Sequence, residues 1–174
     1  ETFYPKENKF DDFDDQKLPM YMVFWGTPAK DCWKIEDSCL KLKCIRQRLD
    51  DDLEQMKMDG ILADDKYVAF VSRRQCAMDA VITAAVKFYP EGQESAGIAA
   101  VQAMNHQIHI ERACEDGKQV VRVVVITADY IQPPYFPGFT STTNREIICS
   151  EAYDKSEIIL QLDMQHEDFC IRYG

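Results

Sequence analysis

The chain has 174 residues, 46% of them hydrophobic, and a formal charge of −10 from 20 basic and 30 acidic side chains. This length predicts one domain with a buried core, and the acidic surplus excludes nucleic acid and anionic membranes as partners, because both bind basic surfaces. No apolar run approaches the roughly 18 residues that a membrane-spanning helix needs.

The first part of the chain alternates between polar segments and short apolar runs. Residues 1–18 are polar and acidic, so we expect an extended arm before a single domain at 19–174. The run 20–25 predicts a buried strand. The alternation in 39–44 predicts a half-buried strand, with a helix as the alternative. Three adjacent aspartates in 49–65 predict an acidic loop.

The second part has the pattern of an antiparallel β protein. Strands are predicted at 66–73, 79–90, 106–113, 119–131, 145–153 and 157–164. The segment 119–131 is apolar on both faces, which is typical of a central strand, and Glu115-Asp116-Gly117 predicts a tight turn into it. A long loop is expected at 130–144, which is rich in proline.

One helix is expected among these strands, at 95–105. Ser95 is a suitable N-cap, and the alanines that follow recur at helical spacing. Asn105 is a suitable C-terminal residue, since it tolerates the left-handed conformation. Several short strands, one helix and many cysteines predict an all-β fold, either a sandwich or a barrel.

The seven cysteines are numerous for a chain of this length. They indicate a secreted protein with up to three disulfides and one cysteine left over, which would permit a homodimer; reduced cysteines are the alternative. The disulfide candidates are Cys32, Cys39, Cys44, Cys76, Cys114, Cys149 and Cys170.

The histidines do not predict a catalytic or metal site. On a regular strand His106 and His109 lie on opposite faces, so they cannot chelate one ion. His166 with Cys170 invites a Cys–His nucleophile, but a bridged cysteine explains that pair better. We therefore expect no enzyme activity, no metal and no cofactor.

The order of features resembles a known family. An apolar first strand (MYMVFW), an acidic loop, a tyrosine-led strand (KYVAFVSRRQC), a helix running into a strand (SAGIAAVQAMNHQIHIERACED) and two closing cysteine strands (REIIC, EIILQLDMQHEDFC) follow one another. This order resembles the poxvirus secreted immune-evasion family, which includes chemokine-binding decoys.

The resemblance implies a two-sheet β-sandwich of mainly antiparallel strands, disulfide-linked, with one or two short helices. It implies a secreted viral protein that neutralises a host cytokine, above all a basic chemokine; other members bind granulocyte–macrophage colony-stimulating factor, interleukin-2 or host cell-surface proteins. The implied partner-binding residues are acidic apart from one tyrosine: Asp50, Asp51, Asp52, Glu54, Tyr67, Glu115 and Asp116.

A second resemblance gives a different function. The segment MYMVFWGTPAKDCW is similar to the first strand and loop of secreted lipocalin-like barrels of the arthropod salivary kind. That alternative implies a hollow barrel that binds a small lipid or amine in an apolar cavity.

Overall fold

The structure is a computed structural model that describes residues 10–29, 31–51, 68–131 and 140–174, without the side chains of 129–131 and 140–142. The chain forms two compact units, Glu1–Met78 and Asp79–Gly174. The predicted boundary after residue 18 falls inside the first unit.

Every regular element in the described residues is a strand. In chain order they are β1 (Met22–Phe24), β2 (Trp33–Glu36), β3 (Cys39–Leu42), β4 (Val71–Arg73), β5 (Ala80–Lys87), β6 (Ala96–Ala103), β7 (His106–Glu115), β8 (Lys118–Ile131), β9 (Thr140–Ala152), β10 (Glu157–Gln165) and β11 (Asp168–Tyr173). Accordingly, this part of the chain contains no helix that is long and apolar enough to cross a membrane.

The first unit contains two antiparallel strand pairs, β1 with β4 and β2 with β3. The β2–β3 hairpin turns at Asp37 and Ser38, whose φ angles of 55° and 54° match a two-residue type I′ turn. The Phe24 and Trp33 rings lie 5.3 Å apart between centroids. Short strands thus lie within both predicted ranges, 20–25 and 39–44, but the predicted burial of the first is wrong, since Val23 is 52% exposed.

The second unit contains two antiparallel sheets. One has four strands in the order β6-β7-β8-β9, and the other has three in the order β11-β10-β5. Ile110 and Val121 from the first sheet form a buried cluster with Ile158 and Leu160 from the second. Because side chains of both sheets meet in this core, the unit is a β-sandwich.

Strand β8 is buried on both faces, as its sequence predicts. Val121 and Val124 point to opposite faces, and their exposed fractions are 3% and 0%. At the β7–β8 turn, Asp116 and Gly117 have φ angles of 51° and 75°, which also match a type I′ hairpin. The predicted central strand and its turn are therefore confirmed.

The predicted helix at 95–105 is wrong, because those residues form β6. Ala96 to Ala103 pair with β7 in antiparallel register. Alanine favours a helix in isolation, but here pairing beside an isoleucine-rich strand outweighs that propensity. Gly97 approaches β7 so closely that an added Cβ atom would lie 2.0 Å from the Ile110 carbonyl oxygen.

The predicted disulfides are wrong as well: all seven cysteines lie in described residues, and each is a thiol. The strand register shows why Cys114 and Cys149 do not form a disulfide. Cys114 is opposite Gln119 and Cys149 is opposite Val123. These partners are four positions apart on β8, or about 13 Å, whereas a disulfide needs its Cα atoms within about 7 Å. The strands are held together by pairing and packing, not by cross-links.

Candidate functional site

Six polar side chains gather on the side of the four-stranded sheet that faces away from the sandwich core. Period two along each strand places Glu111 and Arg122 on this side, and they are cross-strand partners. Arg122 is in turn opposite Ser150 on β9. We call this group the charged face: Ser95, Glu111, Glu115, Arg122, Arg145 and Ser150.

Arg122 is the centre of the charged face. Its Nη2 lies 2.8 Å from Glu111 Oε1, and its Nη1 lies 3.0 Å from Glu115 Oε1. Arg145 Nη2 lies 3.1 Å from the same Glu111 oxygen. One carboxylate oxygen thus accepts hydrogen bonds from two guanidiniums, which fixes the planar groups of three strands relative to one another.

Two serine hydroxyls complete the network. Ser95 Oγ donates to Glu111 Oε2 at 2.9 Å, and Ser150 Oγ donates to Glu115 Oε2 at 2.8 Å. Every oxygen of the two carboxylates therefore accepts at least one hydrogen bond. Such a network is rigid, because Glu111, Glu115 and Arg122 are each held by two or more partners.

The charged face is electrically balanced, and its arrangement favours the ionised form of Glu115. The hydroxyl of Ser150, followed by the guanidinium of Arg122, lowers the pKa of Glu115. Burial alone would lower the pKa of Arg122, but the attraction of Glu111 and the hydrogen bond to Glu115 outweigh it and raise that pKa. Two anions and two cations cancel, so the face does not select ligands by net charge.

Access to this side of the sheet changes along the strands. Val124 and Ile126 are buried there, with exposed fractions of 0% and 1%. The side chain of Glu115 is 31% exposed, and Ser150 is exposed. The charged face therefore opens to solvent at the end where Glu115 and Ser150 lie.

The histidines of β7 take the positions that the strand pattern predicts. His109 is buried, and its Nε2 lies 2.6 Å from Gln107 Oε1 on the side of the charged face. His106 points to the opposite side, with Nδ1 at 3.1 Å from Asn105 Oδ1. Within the described ranges, no three His, Cys, Asp or Glu side chains are grouped closely enough to hold a metal ion.

The acidic residues predicted to bind a partner are distributed over the chain. Asp50 and Asp51 belong to the first unit and pair with Arg48 at 3.5 Å and 3.4 Å. Glu115 is part of the charged face, and Asp116 forms the adjoining turn. The remaining three predicted residues, Asp52, Glu54 and Tyr67, lie outside the described residues.

Most of the charged face was not predicted from the sequence. Glu111 shares its strand face with Gln107 and His109, which was visible from period two alone. Arg122 interrupts an otherwise apolar central strand, and a charged residue there requires a buried partner. Nothing in the sequence around Arg145 and the two serines indicates that they belong to this face, because only the pairing of distant strands brings them there.

Residues 10–173 match the model of the beta xylosidase C-terminal Concanavalin A-like domain. The chain belongs to this family. The Concanavalin A-like fold of this family is a jelly-roll sandwich, which agrees with the two sheets of the second unit. No curated protein matches the chain.

The family match corrects the predicted function. The resemblance to poxvirus immune-evasion proteins is wrong, and with it the viral origin, the chemokine or other cytokine ligand and the host partner. That resemblance used the order of strands and cysteines, which unrelated β-sandwiches share. The lipocalin-like alternative is also wrong, since the described strands form separate open sheets and not a closed barrel.

Proposed function

We propose that this chain is a non-catalytic carbohydrate-binding module of a β-xylosidase-type glycoside hydrolase, and that it binds xylose-containing saccharides at the charged face. The family match supports the enzyme class. The observation that carries the site is the network in which Arg122 joins Glu111 and Glu115 on one sheet face.

The chemistry of the charged face suits a sugar. Carboxylates and guanidiniums are planar groups with several hydrogen-bonding atoms, so one side chain contacts two neighbouring hydroxyls. Because the network already holds these groups in place, binding costs little side-chain entropy. A balanced charge also fits a neutral saccharide.

The same network argues against catalysis. Hydrolysis of a glycosidic bond uses two carboxyl groups, one of which has a raised pKa so that it protonates the leaving group. Here the pKa of Glu115 is lowered, and Glu111 is hydrogen-bonded to two arginines. The Glu115 carboxyl group is therefore unsuited to donate a proton near neutral pH, and both oxygens of Glu111 already accept hydrogen bonds.

Titration calorimetry with xylo-oligosaccharides tests the binding site. We expect Glu115→Ala, which removes the charged side chain at the open end of the face, to weaken binding about tenfold, which corresponds to about 1.4 kcal/mol for the loss of one charged contact. Glu167→Ala, an exposed glutamate between β10 and β11, is the matched control and keeps the wild-type affinity. Equal affinity of the two variants, or no binding by the wild type, overturns the proposal.

A hydrolysis assay tests the absence of catalysis. The chain is incubated with an aryl β-xyloside, and release of the phenol is followed by absorbance. We expect no release above buffer. Release that disappears in Glu111→Gln would identify an enzyme and contradict the non-catalytic role.

A further inference from the structure

A second surface of the second unit has the features of a saccharide-binding platform. It is the side of the three-stranded sheet that faces away from the core. Its middle is formed by two adjacent rows that cross β5, β10 and β11. We call these two rows the outer face: Thr83, Gln161 and Arg172 in one row, and Ala85, Ile159 and Gly174 in the other.

The first row is a chain of hydrogen bonds between planar polar groups. Gln161 Nε2 donates to Thr83 Oγ1 at 3.1 Å, and Arg172 Nη1 donates to Gln161 Oε1 at 3.0 Å. The same Nη1 lies 3.2 Å from Asp163 Oδ2. The row therefore crosses all three strands, about 10 Å, with its amide and guanidinium planes fixed.

The second row is flat and apolar. Ile159 is 54% exposed although it is a large aliphatic side chain. Its two neighbours, Ala85 and Gly174, are small and exposed, and Gly174 is joined to Ile159 by two backbone hydrogen bonds of 2.8 Å and 3.1 Å. Small flanking residues leave the isoleucine accessible to a broad, flat ligand.

The charged groups on and beside the outer face cancel in pairs. Arg172 pairs with Asp163, and Lys87 pairs with Glu157 at 2.9 Å. A strongly charged macromolecule finds no complementary surface here. The ligand that matches a polar row next to an apolar row is uncharged, with hydroxyl groups at its rim and C–H groups on its faces, as in a pyranose ring.

We propose that the outer face binds a segment of a neutral, β-linked polysaccharide, with sugar hydroxyls on the Thr83–Gln161–Arg172 row and sugar C–H faces on Ile159. The class of ligand rests on the proposed function, but the site lies on the other sheet. Because the charged face and the outer face look away from the core on opposite sides, one short oligosaccharide does not contact both. The module binds a polymer at two places.

Co-sedimentation with insoluble xylan tests this second site, alongside calorimetry with xylo-oligosaccharides. Ile159→Asp places a charge on the flat row, and Thr83→Val removes a hydroxyl from the polar row. The matched control is Ile148→Asp, since Ile148 is 57% exposed on β9 of the other sheet. Circular dichroism and the urea midpoint establish that each variant is folded.

The two proposals fail in different ways. We expect Ile159→Asp and Thr83→Val to lower xylan binding at least fivefold while their oligosaccharide affinity, which reports the charged face, is unchanged. Xylan binding by both variants equal to that of Ile148→Asp overturns the outer face alone. Loss of oligosaccharide affinity in these variants contradicts two separate sites, and a wild type that binds neither probe overturns both proposals.

Discussion

The guanidinium carbon of Arg112 lies 4.8 Å from the centroid of the Tyr153 ring, inside the sandwich of the second unit. Arg112 is 0% exposed. Its Nη1 donates to the Tyr153 carbonyl at 2.5 Å, and its Nη2 donates to Gln119 Oε1 at 3.4 Å. The buried Nε has no partner, and burial lowers the pKa of this arginine.

This arrangement predicts that the volume of Arg112 matters more than its charge. No described carboxylate lies within ion-pair distance, so the buried charge is compensated only by the Tyr153 ring and by neutral hydrogen-bond acceptors. We expect Arg112→Met to change the free energy of unfolding by only about 1 kcal/mol, because losing a desolvated charge offsets the lost hydrogen bonds.

Arg112→Ala is the contrasting variant. It leaves a cavity, and we expect it to cost about 3 kcal/mol. Urea denaturation of both variants, with the exposed Arg46→Met as control, checks the difference. If Arg112→Met is as unstable as Arg112→Ala, the charge itself stabilises the fold and the interpretation is wrong.

Gly97 predicts a steric effect between β6 and β7. A Cβ atom there would lie 2.0 Å from the Ile110 carbonyl oxygen and 2.7 Å from the Glu111 Cα, both of which are backbone atoms. Since neither moves without shifting the sheet, we expect Gly97→Ala to lower the free energy of unfolding by about 3 kcal/mol.

Gly92→Ala is the matched control for Gly97. Its added Cβ meets only the Glu94 carboxylate, at 3.0 Å, which is the end of a side chain and not backbone. We expect a change below about 1 kcal/mol in urea denaturation, because Glu94 shifts without moving a strand. Equal destabilisation by the two substitutions would show that the β6–β7 spacing adapts.

Much of the second unit was predictable, because its strands follow period two. Val120 to Ile126 alternate between two apolar faces, which predicted the central strand, and Asp116-Gly117 predicted its turn. The β6 strand was not predictable in this way. Its alanines favour a helix locally, and only the neighbouring β7 makes them a strand.

The charged face was largely hidden for a related reason. Glu111 and Arg145 are 34 positions apart in the chain and meet only through the register of β7, β8 and β9. No pattern within one strand specifies that register. The cysteines led to a wrong prediction of disulfides, because the sequence shows how many there are but not how far apart they lie in the fold. Secretion was predicted from the expected disulfides, and it stays a prediction that their absence no longer supports.

The seven thiols give a prediction of their own. We expect all seven to react with a thiol-specific reagent after denaturation without reductant, because none is bridged. Cys32, only 5% exposed, reacts in the native protein much more slowly than the exposed Cys39. Mass spectrometry of the labelled peptides checks both statements. Disulfide-linked peptides from freshly purified native protein would contradict them.

The two arginines that bind Glu111 are predicted to differ in importance. Arg122 joins both carboxylates and its side chain is 16% exposed, whereas Arg145 contacts Glu111 and is 20% exposed. Arg122→Leu leaves two carboxylates without their shared partner, and we expect a cost of about 3 kcal/mol.

For Arg145→Leu we expect a cost of about 1 kcal/mol, since Arg122 and Ser95 still hold Glu111. Urea denaturation at low and moderate salt measures both values. The double variant Arg122→Leu/Arg145→Leu completes the cycle, and simple additivity would show that the two guanidiniums do not act together on Glu111.

Glu115 predicts how stability changes with pH. Its pKa is lowered in the folded protein, first by the Ser150 hydroxyl and then by Arg122. A lowered folded-state pKa means that its contribution is complete above the unfolded pKa, near about 4.3, and is lost as pH falls through the folded value. We therefore expect the difference in unfolding free energy between the wild type and Glu115→Gln to be constant near neutral pH and to shrink at acid pH.

Urea denaturation between about pH 3 and pH 7 measures this difference. Glu146→Gln, which replaces an exposed glutamate of β9, is measured in parallel as the control for the general effect of acid on the fold. A difference that stays constant or grows on acidification would mean that the Ser150 and Arg122 contacts do not stabilise the Glu115 carboxylate.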